Sequence, residues 1–272
     1  MLKKRILTAL ILLAVFFGVV FSGSALLLKS LFAVCILLAA WEWAGLSRLS
    51  NKTGRTIYAV VNTMVFLILC QVTRHSDLMV YLTGVGWWGI ATIMIIAFQS
   101  GKNILPGRME IRLFVGLLVL LPAAISLTGL YEKTDGISLF VIFFILIWLV
   151  DSAAFFAGSK LGKHKLACNV SPGKSWEGFI AGLVMAAILV PLLVLTHVIA
   201  DRHLYYLSVL FVLTAAFSVV GDLFESMLKR DVNIKDSSNL LPGHGGILDR
   251  IDSITSAAPI YMLGLWLLEN KL

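Results

Sequence analysis

Apolar residues run along this chain in stretches too long for the strands or helices of a soluble core. Crossing about 30 Å of hydrocarbon takes roughly 20 mostly apolar residues. Runs near that length recur at 6–21, 25–46, 56–73, 78–98, 113–130, 136–157, 178–199, 204–227 and 251–268. The pattern predicts an all-α, polytopic integral membrane protein with about nine transmembrane helices. The first run is short, and MLKKR, an apolar stretch and SGSA together also have the form of a secretory signal cleaved near Ser24. The second run opens at Ala25 without a break, so the pair reads as a helical hairpin.

The polar positions between the runs set an orientation. With a cytoplasmic N-terminus, the inside segments collect Lys3, Lys4, Arg5, Arg48, Lys52, Arg55, Lys102, Arg108, Arg112, Lys160, Lys163, Lys165, Lys174, Lys229, Arg230, Lys235 and Arg250. Of the 22 Lys and Arg, only Lys29, Arg74, Lys133, Arg202 and Lys271 fall outside. This is the positive-inside bias, and it predicts a cytoplasmic N-terminus and an outside C-terminus in the cell (inner or plasma) membrane. Mean hydropathy of +0.95 and 59% hydrophobic residues agree, since soluble chains are roughly half apolar. The net charge of +7 is met by anionic lipid at the inner surface, and no nucleic-acid motif accompanies it. Cys35, Cys70 and Cys168 stand alone, without CxxC spacing, and read as small buried hydrophobes.

Charge inside or beside the spans is confined to the C-terminal half. The first five spans carry almost none, which divides the chain into N-terminal transmembrane helices over 1–135 and a catalytic transmembrane region over 136–272. The latter holds two predicted cytoplasmic loops, 158–177 and 228–250. On the eighth span Ser218, Asp222, Glu225 and Lys229 fall at i, i+4, i+7 and i+11, one narrow helix face. Asp249, Asp252, Ser253 and Ser256 share a face at the start of the ninth. An Asp inside a span costs about 2.5–3.5 kcal/mol and faces protein or a wet cavity, so neither stripe looks at lipid. Asp151, near the same end of the sixth span, adds a third carboxylate.

Carboxylates converging beside Lys and Arg suit phosphoryl or nucleotidyl transfer, because Mg2+ is held by one or two carboxylates together with substrate phosphates. Pro242-Gly243-His244-Gly245-Gly246 precedes the ninth helix, where backbone N–H groups and a helix N-terminus are able to face a phosphate. The lysines at 160, 163 and 165 read as interface anchors. Gly173-Lys174-Ser175 is not a P-loop, since Cys168 stands where the first Gly belongs. His244-Gly245-Gly246 has no GxSxG partner to serve as a lipase oxyanion loop. Pro259 marks a site of kinking in the ninth helix.

SMLKRDVNIKDSSNLLPGHGGILDRID, residues 226–252, resembles the signature of the phosphatidate cytidylyltransferases, also called CDP-diacylglycerol synthases. Ser226, Lys229, Arg230, Lys235, Asp236, His244, Gly245, Gly246, Asp249, Arg250 and Asp252 fill its fixed positions. Ser171 to Gly178 is similar to the family's S-P-x-K-S/T-x-E-G segment, and Gly221-Asp222-Leu223 with Glu225 and Ser226 to its G-D-L-x-E-S. Asp151 matches an acidic position of the sixth span. The resemblance covers residues 148–256 and implies the reaction of CTP with phosphatidic acid to give CDP-diacylglycerol and diphosphate. It also implies Mg2+, a monovalent cation such as K+, and a homodimer in the membrane lipid bilayer.

Under that resemblance Asp222 and Asp249 are the expected metal ligands. Lys174, Lys229, Arg230, Lys235 and Arg250 hold the triphosphate and the lipid phosphate, with Ser171, His244, Gly245 and Gly246 beside them. Asp236 counts with the catalytic set, and Asp151, Glu177, Glu225, Ser226 and Asp252 support these groups from behind. Two other classes remain open. A carrier for an anionic metabolite would place its site near the midplane between repeats. Another membrane phosphotransferase is disfavoured by the absence of a D-G-x-x-A-R segment.

Overall fold

The computed structural model describes residues 2–72, 78–102, 104–198, 203–241 and 243–271. Among them the helices are α1 (Leu2–Phe21), α2 (Ala25–Leu46), α3 (Lys52–Val72), α4 (Leu78–Gln99), α5 (Met109–Tyr131), α6 (Gly136–Leu161), α7 (Trp176–Leu195), α8 (Leu204–Asp231) and α9 (Leu248–Lys271). Helices α2 to α9 are long and apolar enough to span a membrane, while α1 carries the shorter apolar run Ile6–Phe21. The all-α expectation holds, with one addition. The predicted loop 158–177 folds as an antiparallel hairpin of β1 (Lys165–Ala167) and β2 (Ser171–Ser175). Arg74, Arg202 and Pro242 lie outside the described residues.

Several helices outrun the apolar segments that predicted them. A helix of 28 residues such as α8 is about 42 Å long at 1.5 Å per residue, more than the hydrocarbon core. Its last turn carries Lys229 and Arg230, which complement the C-terminal end of the helix dipole. The predicted loop 228–250 gives up its ends to α8 and α9. At the other loop, Ser175 caps α7 by accepting the Gly178 N–H at 3.2 Å, the ordinary role of a serine before a first helical turn.

Lipid gives helices no hydrophobic reason to associate, so packing rests on close contact and on hydrogen bonds between helices. Helix α8 packs on α9, α6 on α7 and α2 on α3, while α4 and α5 lie against α9. Gly84 of α4 faces Pro122 and Pro259, and a Cβ there would stand 2.9 and 2.8 Å from their Cβ atoms. The Pro259 ring is thus part of the α4–α5–α9 crossing. Buried donors reach across: Trp43 Nε1 donates to Arg112 O at 2.8 Å, Trp88 Nε1 to Thr255 O at 3.1 Å and Ser256 Oγ to Phe217 O at 2.6 Å. Leaving such a donor unpaired costs about 1–3 kcal/mol.

Two features fix α8 against the first half of the chain. Phe224 lies among Trp43, Trp87 and Trp88, with ring centroids 6.4, 5.7 and 5.7 Å away. Beyond them, Asp231 at the end of α8 accepts Arg112 Nη2 at 2.7 Å and Arg48 Nη2 at 3.0 Å. The cysteines only partly fit expectation. Cys35 and Cys70 are half-buried, but Cys168 is exposed because it belongs to the hairpin turn and not to a helix.

Candidate active site

The two acidic stripes meet where α8 packs on α9, and the β1–β2 hairpin covers one side of them. Gly221 allows the approach, because a Cβ there would run into the Asp252 backbone and the Ser256 hydroxyl. Beside α8 lies a cavity of about 440 Å³ lined by Asp151, Ser171, Lys174 and Asp222 together with Phe155 and Phe179. Strand β2 carries Lys174 over it, and the Lys174 Nζ stands 2.5 Å from Asp222 Oδ2. Ser226, one turn along α8, donates to Asp222 Oδ1 at 3.3 Å. Asp151, Ser171, Lys174 and Asp222, distant in the chain, thus line one cavity together with apolar side chains.

Further along α8 the charge is denser. Lys229 Nζ bonds Asp249 Oδ1 at 2.7 Å and lies 3.5 Å from Glu225 Oε2. Neither Glu225 oxygen accepts a hydrogen bond among the described residues. Asp249 Oδ2 accepts Ser237 N at 2.9 Å, Ser237 Oγ at 3.0 Å and Gly246 N at 2.8 Å. Gly245, at φ +79°, adopts the left-handed backbone that glycine alone takes without strain.

The glycine loop is directed differently from expectation. The N–H groups of Gly246, Ile247 and Leu248 point at the carboxylates of Asp249 and Glu42, not into the cavity. Arg250 folds back so that Nε and Nη2 donate to His244 O at 3.0 and 2.7 Å. Arg230 reaches the hairpin turn at Val170 O, 3.3 Å away. Lys235 and Asp236 are exposed and make no ion pair among the described residues. Glu177 braces the hairpin instead of a site cation, accepting His164 N at 3.2 Å and meeting its Nδ1 at 2.7 Å.

Glu42 was not anticipated. It comes from α2, in the half predicted to be nearly free of charge, yet it is buried against the loop. The available signal was a single acid inside an apolar helix, in the stretch AAWEWAG, which by itself marks a functional candidate.

No group of three or more Asp, Glu, His or Cys is already gathered in metal-holding geometry among the described residues. Asp222 and Asp249 are each closed by a lysine. The donor chemistry nevertheless fits a hard cation. Asp222, Glu225, Asp249 and Asp252 supply oxygen donors only, with Lys174 and Lys229 set against them. Oxygen-only sets of this kind suit Mg2+.

Residues 3–268 match the cytidylyltransferase family. The chain is similar to the phosphatidate cytidylyltransferase of Pseudomonas aeruginosa, 40% identical over 266 residues, which is 98% of this chain and 97% of the relative. It is similar to that of Haemophilus influenzae at 34% identity, covering 96% and 97%. The phosphatidate cytidylyltransferase of Staphylococcus epidermidis is 29% identical, over 95% and 97%.

Proposed function

This chain belongs to the cytidylyltransferase family, and from that premise we propose that it converts CTP and phosphatidic acid into CDP-diacylglycerol and diphosphate. The observation that carries the reading is the Lys174–Asp222 pair, 2.5 Å apart, at a cavity lined by both charged and apolar side chains. A lipid phosphate has that same mixed character. Its headgroup meets Lys174 and Ser171, and the start of its acyl chains meets Phe155 and Phe179.

In the reaction a lipid phosphate oxygen attacks the α-phosphorus of CTP. A new P–O bond forms, the bond to the β-phosphate breaks, and diphosphate leaves with the electron pair. A phosphate monoester is a competent nucleophile at neutral pH, so no residue is assigned as a base. What the protein must supply is positive charge, because two anions have to approach to bonding distance. Lys174 serves from the hairpin and Lys229 from α8, while Arg230 and Arg250, now bonded to backbone carbonyls, are long enough to turn toward a triphosphate. Asp222 and Asp249 are the residues that would hold Mg2+, with Glu225 and Asp252 beside them for a second cation. The bound metal would neutralise phosphate charge that the lysines alone leave.

The positive-inside bias supports an active site on the cytoplasmic side of the cell membrane, where CTP is available. The test is product formation by purified protein in proteoliposomes, given α-labelled CTP and phosphatidic acid with and without Mg2+. Metal-dependent passage of label into the lipid phase is the expected result. No transfer by folded protein under any cation condition would overturn the reading.

A further inference from the structure

Glu42 is 1% exposed, and its charge is met by four neutral donors. Oε1 accepts Ser238 Oγ at 2.6 Å and Ile247 N at 3.0 Å, while Oε2 accepts Ser237 Oγ at 3.0 Å and Leu248 N at 2.8 Å. Two of these donors come from the middle of the connection between α8 and α9, and two from its last residue and the first residue of α9. One carboxylate on α2 therefore closes the loop on itself and caps the first turn of α9.

The link continues to Asp249. The Ser237 hydroxyl stands 3.0 Å from Glu42 Oε2 and 3.0 Å from Asp249 Oδ2, so a single hydroxyl hydrogen lies between two carboxylates. Gly246 fits beneath them only because it lacks a side chain: a Cβ there would stand 2.5 and 2.6 Å from the Glu42 oxygens. The Gly246 N–H is left free to reach Asp249 Oδ2 at 2.8 Å.

We propose that Glu42 is a positioning residue for the reaction: from α2, and through Ser237, it fixes the Asp249 carboxylate and the 243–248 loop against α8. The role rests on the place given above to Asp249. It requires a carboxylate and not merely a polar group of that size. Four donors need an acceptor with two oxygens, and the amide of a glutamine would turn its own N–H2 toward the Ile247 or Leu248 N–H.

Glu42→Gln in the full-length protein is the test, in proteoliposomes, read by hydrogen–deuterium exchange and by kinetics with CTP and phosphatidic acid. Amides of Ile247 and Leu248 should exchange at least about tenfold faster, a factor equal to about 1.4 kcal/mol, while those of α2 and α5 keep their rates. In the same protein kcat should fall at least about tenfold with a smaller change in KM for CTP, the pattern of an interaction made chiefly in the transition state. Ser238→Ala, which removes one donor from Oε1 and leaves every backbone N–H in place, should show both effects in weaker form.

Faster exchange spread evenly through α8 and α9, with kcat falling only as folded protein is lost, would reduce Glu42 to a structural group and overturn the proposal. So would loop exchange and kcat within about twofold of the parent. No cytidylyl transfer by the parent protein would instead overturn the reaction assigned above, and the positioning role with it.

Discussion

Replacing Lys174 with alanine separates two contributions that one side chain makes. Its ammonium stands 2.5 Å from Asp222 Oδ2, with the two side chains 25% and 31% exposed. A pair so open to water adds at most about 1 kcal/mol to folding, and Asp222 remains solvated once the lysine is gone. Stability should barely change. For the reaction the same ammonium opposes charge that builds on the transferring phosphate, where one positioned electrostatic contact is worth about 2.7–4 kcal/mol, or roughly 10²–10³ in kcat. Lys174→Ala should therefore unfold at nearly the parent temperature, turn over roughly 10²–10³ times more slowly, and need more CTP. The assay is initial rate against CTP concentration, as label entering lipid, with thermal unfolding followed on the same samples. Turnover and CTP dependence equal to the parent's would refute contact with phosphate. A large loss of stability would refute the small value given to the pair.

Asp222→Asn should abolish turnover and leave the protein folded and inserted, and near-normal activity would remove Asp222 from the site. Asp249→Asn should also abolish turnover and in addition loosen the loop, because an acceptor for Ser237 and Gly246 is weakened; unchanged proteolysis at 237–246 would contradict this. Arg112→Ala strips Asp231 of a 2.7 Å partner in a pair only 4% and 7% exposed. Breaking a buried pair costs about 3–5 kcal/mol, and Arg48 holds the loss near the lower figure; an unchanged unfolding midpoint in detergent would show that Arg48 alone suffices. Cys168, exposed in the hairpin turn, should react with a membrane-impermeant maleimide in inside-out vesicles and not in intact cells, whereas the opposite pattern would reverse the assigned orientation.

The helices and the chemistry of α8 and α9 were legible because both are local patterns. Apolar runs mark spans, and Asp222, Glu225 and Lys229 share a face by spacing alone. What spacing omits is the partner across the bundle. Ser218, on the same stripe, spends its hydroxyl on Ala215 O, while Asp222 turns to the hairpin and Lys229 to Asp249. The sequence predicts a loop after the sixth span long enough to form structure of its own, but not which structure, since KLA and SPGKS are too short to signal strands. Glu42 stands outside the predicted site, and Arg112 counts there only toward the inside charge, for a related reason: each is an isolated charge in a mostly apolar helix, and its value appears only when Ser237 or Asp231 arrives from nearly 200 or more than 100 residues away. The glycine loop taught the converse. Its composition suggested a phosphate cradle, but its N–H groups are held by protein carboxylates.

The 195 residues between Glu42 and Ser237 also set an order of assembly. A chain emerging N-terminus first places α2 in the membrane while its four donors are still untranslated. Until the ninth helix returns to the second, Glu42 is a carboxylate in an apolar helix with none of its native partners, a state that membranes tolerate poorly. Such distant closures are slow, because the chain between must be ordered before the contact rewards it. Catalytic competence is therefore the last property this protein acquires during its biogenesis, and a chain interrupted before α9 is an inserted protein without an enzyme.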